Sequence, residues 1–315
     1  MPSTLVIYNP IAGRGRVHTL WSQVEQTLRT TGVDFDTVAT NGPLHAMHLA
    51  KEAPQKYSMV ISVGGDGTIH EIVNGLLQAS EEKETITLGL IPLGNGDDFA
   101  KVIPPEAPIG GKPFEWRAAV QKIGQGQTRL FDAGRMEGDH LRPEIGDGPH
   151  YFLNSMDVGF GALAAQNFTT TPKYLKGMSA YLAAIFKTLI DYPTLHLRIQ
   201  LDDQPPFEQS TTMTAITNGR CFGNGFWVCP DARADDGLFD LMVAQNVSRF
   251  TILRMIPKFM QGTHVNEPVL RMYRARRVVL ESEAPLVVEA DGEIPYLETH
   301  RLELDILPKK VRLIV

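Results

Sequence analysis

The chain has 315 residues, of which 43% are hydrophobic and 21% are charged. This composition supports a large buried core and predicts about two domains. The formal net charge of -6 provides no global basic field, so nucleic acid is not expected as a main partner. The N-terminal "MPSTLVIYNP" lacks the pattern of a signal peptide, and no run reaches the roughly 18 apolar residues of a membrane span, which together predict a cytoplasmic protein.

Cys221 and Cys229 are the only cysteines. They are too few for a disulfide framework and lack the spacing of a metal site. We therefore expect two reduced structural thiols.

Over residues 1–130, short β-branched runs alternate with helical patterns. The predicted strands "TLVIYN", "DFDTVA", "SMVISV" and "ITLGLIPL" are followed by predicted helices at 17–31, 44–53, 68–79 and 97–102. Such alternation is typical of a mostly parallel sheet covered by helices. We therefore predict an α/β nucleotide-binding domain over residues 1–130.

Over residues 131–300, the pattern changes to many short strands. They are "TRLFDAGRM", which begins at 128, "HYFLNSMDVGF", "LHLRIQLD", "TMTAITN", "LFDLMVAQ", "RRVVLES" and "PLVVEAD", and helical stretches interrupt them near 178–190 and 248–261. This pattern predicts a mainly antiparallel β-sandwich as a second domain. The segment 301–315, "RLELDILPKKVRLIV", has strand composition and could return to either sheet.

Three glycine-rich turns lie between a predicted strand and a predicted helix: "NPIAGRGR" at 9–16, "GGDGT" at 64–68 and "LGNGDDF" at 93–99. In a parallel sheet, all three fall at the carboxyl ends of strands, where α/β folds bind ligands. Glycine lets backbone N–H groups approach an anion, and a helix N-terminus favours negative charge. The turns predict a nucleotide site rather than tight connections alone. Thr68 and Glu71 also predict a capping box at the start of the third helix.

Asp66 is a carboxylate within the second of these turns. A carboxylate beside polyphosphate needs a divalent cation between them, so Asp66 indicates a Mg²⁺-nucleotide site or a catalytic acid or base. Neither G-x-x-x-x-G-K-[ST] nor G-x-G-x-x-G occurs, so neither a P-loop nor a dinucleotide fingerprint is supported.

These motifs carry a family resemblance. "NPIAG", "GGDGT" with "HEIVNGL", and "PLGNGDDFA" resemble the catalytic domain of the diacylglycerol kinase and bacterial lipid kinase family. "RLFDAG", "FLNSMDVGFGA", "ITNGRCFGNGFWVCPDARADDGLFDL" and "EADGE" follow in the order of that family. GGDGT alone would also fit NAD kinases, so the second-half motifs favour lipid kinases. The resemblance implies a two-domain kinase with an α/β domain, a β-sandwich domain and an active site in the cleft between them.

The resemblance also implies roles for individual residues. Asp66 would act through Mg²⁺, and Asp132 in "RLFDAG" would lie near the cleft, unless it is only a polar turn residue. The residues implied to bind the nucleotide are Asn9, Gly13, Thr40, Gly64, Gly65, Gly67, Thr68, Gly94, Asn95 and Asp98.

Two acidic segments lie in the second half. The closely spaced carboxylates of "DARADDGLFD" suit a hard cation, although a solvated acidic turn is the alternative. The resemblance implies a structural Mg²⁺ held by the Asp236 carboxylate and the backbone carbonyls of Arg233 and Leu238. In "EADGE", Asp291 is the candidate base that would deprotonate an alcohol, with Glu293 supporting it, and a surface hairpin turn is the alternative.

Some positions depart from the family pattern. Asp97 stands where an asparagine is usual, His45 stands where an aspartate is common, and Asp157 stands where a glycine is common. Because Asp66, Asp98 and Asp291 are all present, an active kinase is expected. Altered metal or nucleotide preference remains open.

Basic and apolar residues mix in "SRFTILRMIPKFMQG" at 248–262, where Arg249, Arg254 and Lys258 lie among apolar side chains, and "RMYRARR" at 271–277 adds four arginines. Such a surface suits reversible docking on anionic lipid, each basic residue contributing about 1 kcal/mol. A core-facing amphipathic helix and a solvated strand are the alternative.

Together these features predict a transferase: an ATP- and Mg²⁺-dependent lipid kinase of phospholipid metabolism that is cytoplasmic and peripherally membrane-associated. Diacylglycerol is the leading substrate, with its acyl chains between the sandwich and the inserted helices. An NAD kinase and a catalytically weak nucleotide-binding regulator are the alternatives. A homodimer is left open.

Overall fold

The computed structural model of the protein describes residues 3–80, 83–101, 103, 108, 109, 115–168, 170, 171, 175 and 178–315. The chain forms two compact units. The first contains the described residues within 1–107, 111–133 and 308–315, and the second contains those within 108–110 and 134–307.

Strands and helices alternate in the first unit. In chain order they are β1 (Thr4–Tyr8), α1 (Ala12–Arg29), β2 (Phe35–Ala39), α2 (His45–Glu52), β3 (Met59–Gly64), α3 (Asp66–Ser80), β4 (Thr87–Pro92), α4 (Asp98–Lys101), α5 (Trp116–Gln125) and β5 (Thr128–Gly138), whose final residues belong to the second unit. The predicted fourth helix, 97–102, includes Val102, which lies outside the described residues.

The second unit contains mostly strands. Its elements are β6 (His150–Phe152), β7 (Ser155–Gly159), α6 (Phe160–Phe168), α7 (Met178–Ile190), β8 (Leu195–Leu201), β9 (Phe207–Thr217), β10 (Phe239–Gln245), α8 (Arg249–Gln261), β11 (Leu270–Ala275), β12 (Arg277–Ala290) and β13 (Glu293–Ile314), whose final residues belong to the first unit. The helices expected near 178–190 and 248–261 are confirmed as α7 and α8.

The sheet of the first unit is parallel. Its strand order is β13-β4-β3-β1-β2, and Leu313 of β13 pairs with Leu88 of β4. The segment 301–315, which the sequence could assign to either sheet, contributes to both: residues 301–305 pair with β12 in the second unit, and residues 308–315 complete the α/β sheet. The inner strands β1, β3 and β4 are buried on both faces, as expected of a parallel sheet between helices, with Ile61 and Ile91 fully or almost fully buried, whereas the edge strand β2 is largely exposed.

The sheet of the second unit is antiparallel, in the order β11-β10-β9-β7-β12-β13, with β8 paired to β9 and β12. Side chains alternate between two cores along its strands: Ile216 and Leu241 join one apolar cluster, whereas Ala215 and Met242 join the cluster that includes residues of α6, α7 and α8. The predicted fold class, an α/β domain followed by a strand-rich domain, is confirmed.

Two details of the predicted second half are wrong. "HYFLNSMDVGF" was expected to form one strand, but it forms β6 and β7 with a break at Leu153 and Asn154 and then enters α6, which the sequence did not predict. The break occurs because the backbone N–H groups of both residues donate to the Asp291 carboxylate and not to a neighbouring strand. The short apolar run "FGALAA" does not by itself distinguish a strand from a buried helix, so the sequence did not indicate where the strand ends and α6 begins.

The predicted capping box is also wrong. The third helix begins at Asp66, so Thr68 lies inside its first turn. Glu71 instead accepts the backbone N–H groups of Leu44 and Ala46, at 2.8 and 3.0 Å. Its carboxylate therefore caps the N-terminus of α2, with the two N–H groups 27 and 25 residues earlier in the chain.

None of the helices in the described part of the chain is both long and apolar enough to span a membrane.

Candidate active site

The three glycine-rich turns meet at one edge of the parallel sheet. A Cβ atom on Gly13 would overlap the carbonyl oxygen of Leu93, and a Cβ atom on Gly65 would lie 2.8 Å from Gly94 Cα. Side chains at these positions would separate the turns, so glycine is required by close backbone approach. We call turns 9–16, 64–68 and 93–99 the anion cradle.

Hydrogen bonds also connect the first two turns of the anion cradle to each other. Asn9 donates from Nδ2 to Thr68 Oγ1 at 3.1 Å, and its Oδ1 accepts the Ile11 N–H. The Thr40 N–H donates to Tyr8 O at 2.9 Å, which places Thr40 at the strand end beside Asn9. The structure thus brings Asn9, Gly13, Thr68 and the Gly64–Gly65 and Gly94 backbones together at the sheet edge, with Asn95 exposed in the third turn.

Three carboxyl groups accompany the cradle. Burial raises the pKa of Asp66 to about 8, with further contributions from the negative charges of Asp98 and Asp97, although the Phe99 N–H donates to Asp66 Oδ1. Basic side chains offset part of this charge: Lys101 Nζ pairs with Asp98 Oδ1 at 2.5 Å, and the charges of Lys101 and Arg16 act on Asp97. The cradle therefore favours a bound cation as well as an anion.

Asp97, the residue that departs from the family pattern, has a local structural role. Its backbone is left-handed (φ 51°), a conformation that asparagine and aspartate tolerate, and its Oδ1 accepts the Gly94 N–H at 2.9 Å. Burial raises its pKa to about 6. An asparagine could accept the same hydrogen bond, so aspartate keeps the shape of the turn while adding a titratable group.

Among the described residues, no three His, Cys, Asp or Glu side chains are grouped so that they could hold a metal ion by themselves. Mg²⁺ commonly binds to one or two carboxylates and completes its coordination with substrate phosphates and water. Asp66 and its acidic neighbours fit that mode of binding, in which the nucleotide itself supplies ligands.

Asp132 is fully buried in β5, and its Oδ1 accepts the Lys309 N–H at 2.7 Å. The carboxylate therefore holds the returning segment 308–315 within the first unit. The interpretation of Asp132 as a polar turn residue is wrong.

Asp291 lies in the turn that joins β12 to β13. Asp291 and Gly292 both have positive φ, 50° and 92°, as two-residue hairpin turns require. The Asp291 carboxylate accepts the backbone N–H groups of Leu153, Asn154 and Ser155 at 2.7, 2.9 and 3.0 Å. Its position is therefore fixed far more tightly than that of a surface turn, whereas Glu293 is exposed at the start of β13.

Asp236 lies in the acidic turn before β10. Its Oδ1 accepts the Leu238 N–H at 3.2 Å, and its Oδ2 forms an ion pair with Arg274. Arg233 lies in the same turn and pairs with Asp235. The Arg274 guanidinium thus neutralises the carboxylate to which the family resemblance assigned a structural Mg²⁺.

An apolar cavity of about 100 Å³ lies inside the second unit and opens to solvent. Residues of α6, α7, α8, β9 and β10 form its walls, including Phe160, Ala164, Tyr181, Ile185, Met242 and Met255. It lies between the sheet and the inserted helices, where the acyl-chain site was predicted.

An α/β unit with an anion cradle is followed in the same chain by an antiparallel unit with an apolar cavity. Residues 3–136 match the diacylglycerol kinase catalytic domain, and residues 154–315 match the YegS C-terminal NAD kinase beta sandwich-like domain. The chain belongs to the diacylglycerol kinase and bacterial lipid kinase family.

Individual relatives agree with this assignment. The chain is 29% identical over 297 residues to a diacylglycerol kinase of Bacillus subtilis, a match that covers 93% of this chain and 90% of the relative. A solved diacylglycerol kinase structure from Bacillus anthracis superposes with a TM-score of 0.73 at 21% identity, covering 99% of this chain and 96% of that one. A yeast NADH kinase structure is a more distant fold neighbour, with a TM-score of 0.51 at 9% identity and coverage of 100% and 84%.

Proposed function

We propose that this protein transfers the γ-phosphoryl group of ATP to the free hydroxyl of diacylglycerol, yielding phosphatidic acid and ADP. The hydroxyl oxygen forms a bond to the γ-phosphorus, the bond from that phosphorus to the oxygen bridging to the β-phosphate breaks, and a carboxylate accepts the hydroxyl proton. The apolar cavity in a member of a lipid kinase family carries the proposal, because such a cavity suits acyl chains.

The anion cradle would bind the nucleotide phosphates. Backbone N–H groups of its glycine turns and the N-terminus of α3 favour negative charge. Asp66 would hold Mg²⁺, assisted by Asp98, and that ion would neutralise phosphate charge when bound. Asn9 and Thr68 would keep the first two turns in register through their side-chain hydrogen bond.

Asp291 would accept the proton of the acceptor hydroxyl. Its fixed position in the hairpin turn suits a group that must orient an alcohol before transfer. Glu293, exposed beside it, would support the acceptor site.

The cavity argues against NAD as the acceptor. The groups that line it are almost all apolar side chains. The ribose hydroxyls and charged groups of NAD would lose hydrogen bonds with water there without replacement, at a cost of about 1–3 kcal/mol for each unpaired group. Acyl chains have no such groups to satisfy.

A panel of acceptors tests the proposal directly. Labelled phosphate from ATP should appear on diacylglycerol, and not on NAD. Labelling of sphingosine or ceramide in place of diacylglycerol would change the substrate, labelling of NAD would restore the NAD kinase alternative, and no labelling of any acceptor would indicate a nucleotide-binding regulator.

Filling the cavity should affect lipid use selectively. Ala164 is buried and lines the cavity, so Ala164→Phe should raise the KM for long-chain diacylglycerol about tenfold while leaving the KM for ATP near that of the wild type. Ala165, the next residue on α6, is only half-buried and does not line the cavity, so Ala165→Phe is the matched control. An equal KM for lipid in both variants would place the acyl chains elsewhere.

We further propose that the protein docks on membranes through the outer faces of α7 and α8. Phe250 and Ile190 are 76% and 73% exposed, and Phe186 is 55% exposed. Arg249 donates to Ile190 O at 2.8 Å, which holds the end of α7 to the start of α8. Two helices that wall the cavity therefore also present apolar side chains to solvent, as a membrane-inserting surface would.

The basic residues contribute less to this surface than their number suggests. Arg254 and Lys258 both pair with Glu267, and Arg274 pairs with Asp236 and Asp240. Apolar insertion should therefore be the larger component of binding, with anionic lipid adding to it.

Vesicle sedimentation checks this surface. The Phe250→Ser, Ile190→Ser double variant should lose at least about half of the bound fraction on phosphatidylglycerol vesicles, because about 1.5–3 kcal/mol is associated with each buried apolar side chain. Leu297→Ser, which removes a side chain that is 43% exposed on β13, is the control. Wild-type binding by the double variant would exclude this face.

A structural cation at Asp236 remains a proposal, with Arg233 and Leu238 as carbonyl ligands. If Mg²⁺ binds there, chelation with EDTA should lower the melting temperature of the wild type by a few degrees and barely affect Asp236→Ala. If Arg274 alone stabilises the turn, Asp236→Ala will melt lower than the wild type, and EDTA will change neither. Differential scanning fluorimetry distinguishes the two results.

A further inference from the structure

Two buried acids lie beside the Asp291 turn. Asp157 on β7 and Glu289 on β12 are directly opposite each other in the antiparallel pairing, and they are 1% and 5% exposed. Like charges in that arrangement are destabilising. The pair therefore needs either a counter-charge or a proton.

Each acid is fixed by a backbone group of a different element. Asp157 Oδ1 accepts the Ala162 N–H at 2.5 Å, in the first turn of α6. Glu289 Oε1 accepts the Gly292 N–H, in the turn that carries Asp291. Gly161 leaves room for the Asp157 carboxylate, because a Cβ atom there would overlap it. The two carboxyls thus lie between the start of α6 and the Asp291 turn.

Within the described part of the chain, no basic side chain forms an ion pair with either acid. The charged group that acts on it from outside is Asp291, another acid, while α6 and residues 211–217 of the neighbouring strand β9 contain no charged residue. Glu293, the nearest charged residue on β13, is also acidic. Burial raises the pKa of Asp157 to about 7 and, with the charge of Asp157, raises the pKa of Glu289 well above its usual value.

The proton belongs on Glu289. Its Oε2 is buried and accepts no hydrogen bond in the described part of the chain, so an ionised Glu289 would leave that oxygen desolvated. The side-chain interaction between the two acids favours a proton on Glu289, which can donate, and a negative charge on Asp157, which can accept. Asp157 already accepts an N–H bond near the start of a helix, where a negative charge is favourable.

We propose that protonated Glu289 and ionised Asp157 act as one positioning pair that connects α6, which lines the apolar cavity, to the turn that carries Asp291. The inference rests on the proposed function in that Asp291 is taken as the base. It adds that the turn that carries the base is held to α6, a wall of the cavity, through Glu289 and Asp157. Asp157 stands at a position where the family commonly has glycine. Neither residue of the pair touches substrate in this proposal.

Glu289→Ala and Glu289→Gln test the pair, because glutamine mimics the protonated acid. Glu289→Ala should lower kcat about a hundredfold with the KM for ATP little changed, since a small displacement of a catalytic group has that effect. Glu289→Gln should recover most of the loss at neutral pH. The wild type should lose kcat as pH rises and Glu289 ionises, whereas Glu289→Gln should lack this alkaline loss.

Unfolding free energies provide a measurement that does not depend on activity. A folded pKa above the unfolded one means that the folded state holds the proton longer, so the wild-type free energy of unfolding falls as pH rises from the unfolded toward the folded pKa. Glu289→Gln should show a smaller fall in the same urea titrations. This comparison uses only the wild type and Glu289→Gln, so it tests the proposal even when Glu289→Ala does not fold.

Three results would overturn the pair: Glu289→Gln as impaired as Glu289→Ala, Glu289→Ala with wild-type kcat, or equal pH dependence of unfolding in wild type and Glu289→Gln. A wild type that phosphorylates no lipid would instead refute the proposed function, and the unfolding comparison would still test whether Glu289 holds a proton in the folded protein.

Discussion

Replacing Asp66 with asparagine should abolish phosphoryl transfer and leave the protein folded. The carboxylate is the proposed Mg²⁺ ligand of the anion cradle, and an amide oxygen without charge cannot replace it beside polyphosphate. We expect a loss of at least about 10³-fold in kcat, by analogy with the loss of other large electrostatic contributions to transfer. Labelled ATP and saturating Mg²⁺ are the conditions for the assay.

The fold should tolerate this change because of the surroundings of Asp66 in the structure. The sequence placed Asp66 in a turn before the third helix, but it is half-buried in the first turn of α3. Because its pKa is raised to about 8, the acid contributes stability that is complete below its unfolded pKa and is lost as pH rises toward 8. Asparagine keeps an acceptor for the Phe99 N–H and removes the repulsion with Asp97 and Asp98, so the melting temperature should not fall.

Asn9→Ala provides a comparison within the cradle, because it removes the hydrogen bond to Thr68 without changing charge. It should weaken ATP binding and leave measurable kcat. Near-normal transfer by Asp66→Asn would mean that Asp66 does not organise the metal.

Replacing Asp291 with asparagine should lower kcat by about 10²- to 10⁴-fold with little change in ATP affinity. Proton removal by a positioned base typically contributes that much, and the loose transition state of phosphoryl transfer limits it. Glu293→Gln should have a smaller effect, because its proposed role is support. Steady-state kinetics with ATP and diacylglycerol varied separately give the required kcat and KM values.

The geometry of Asp291 requires a stability control. Its carboxylate accepts three backbone N–H groups, and an amide nitrogen placed against one of them would lose that bond. A fall in melting temperature would show that part of the kinetic effect is structural. Weakened ATP binding with intact kcat would instead assign Asp291 to the nucleotide site, leaving Asp66 as the next candidate for the base.

The elements of the first unit could be predicted because local signals agree with the fold. Hydrophobic runs mark β1, β3 and β4, and glycine-rich turns follow each of them, so the rule for strand ends places Asn9, Gly65 and Gly94 together before any coordinates are known. The contacts of Gly13 and Gly65 with the third turn agree with that expectation.

The remaining features depend on partners that lie far away in the sequence. Glu71 resembles half of a capping box, but its partners are on another helix. Asp157 and Glu289 are ordinary acidic residues until strand register places them opposite each other. A one-residue change in the register of either strand would move its acid to the other face of the sheet and separate the two, and no local sequence pattern fixes that register.

The path of β13 has a consequence for synthesis on the ribosome. Residues 308–315 belong to the first unit, yet they are translated after the whole of the second. Until they emerge, the edge of β4 lacks its outer neighbour and the Asp132 carboxylate lacks the Lys309 N–H. The edge of β4 in the nascent α/β sheet therefore stays unpaired during this interval. That edge is then accessible to chaperones and to incorrect strand partners.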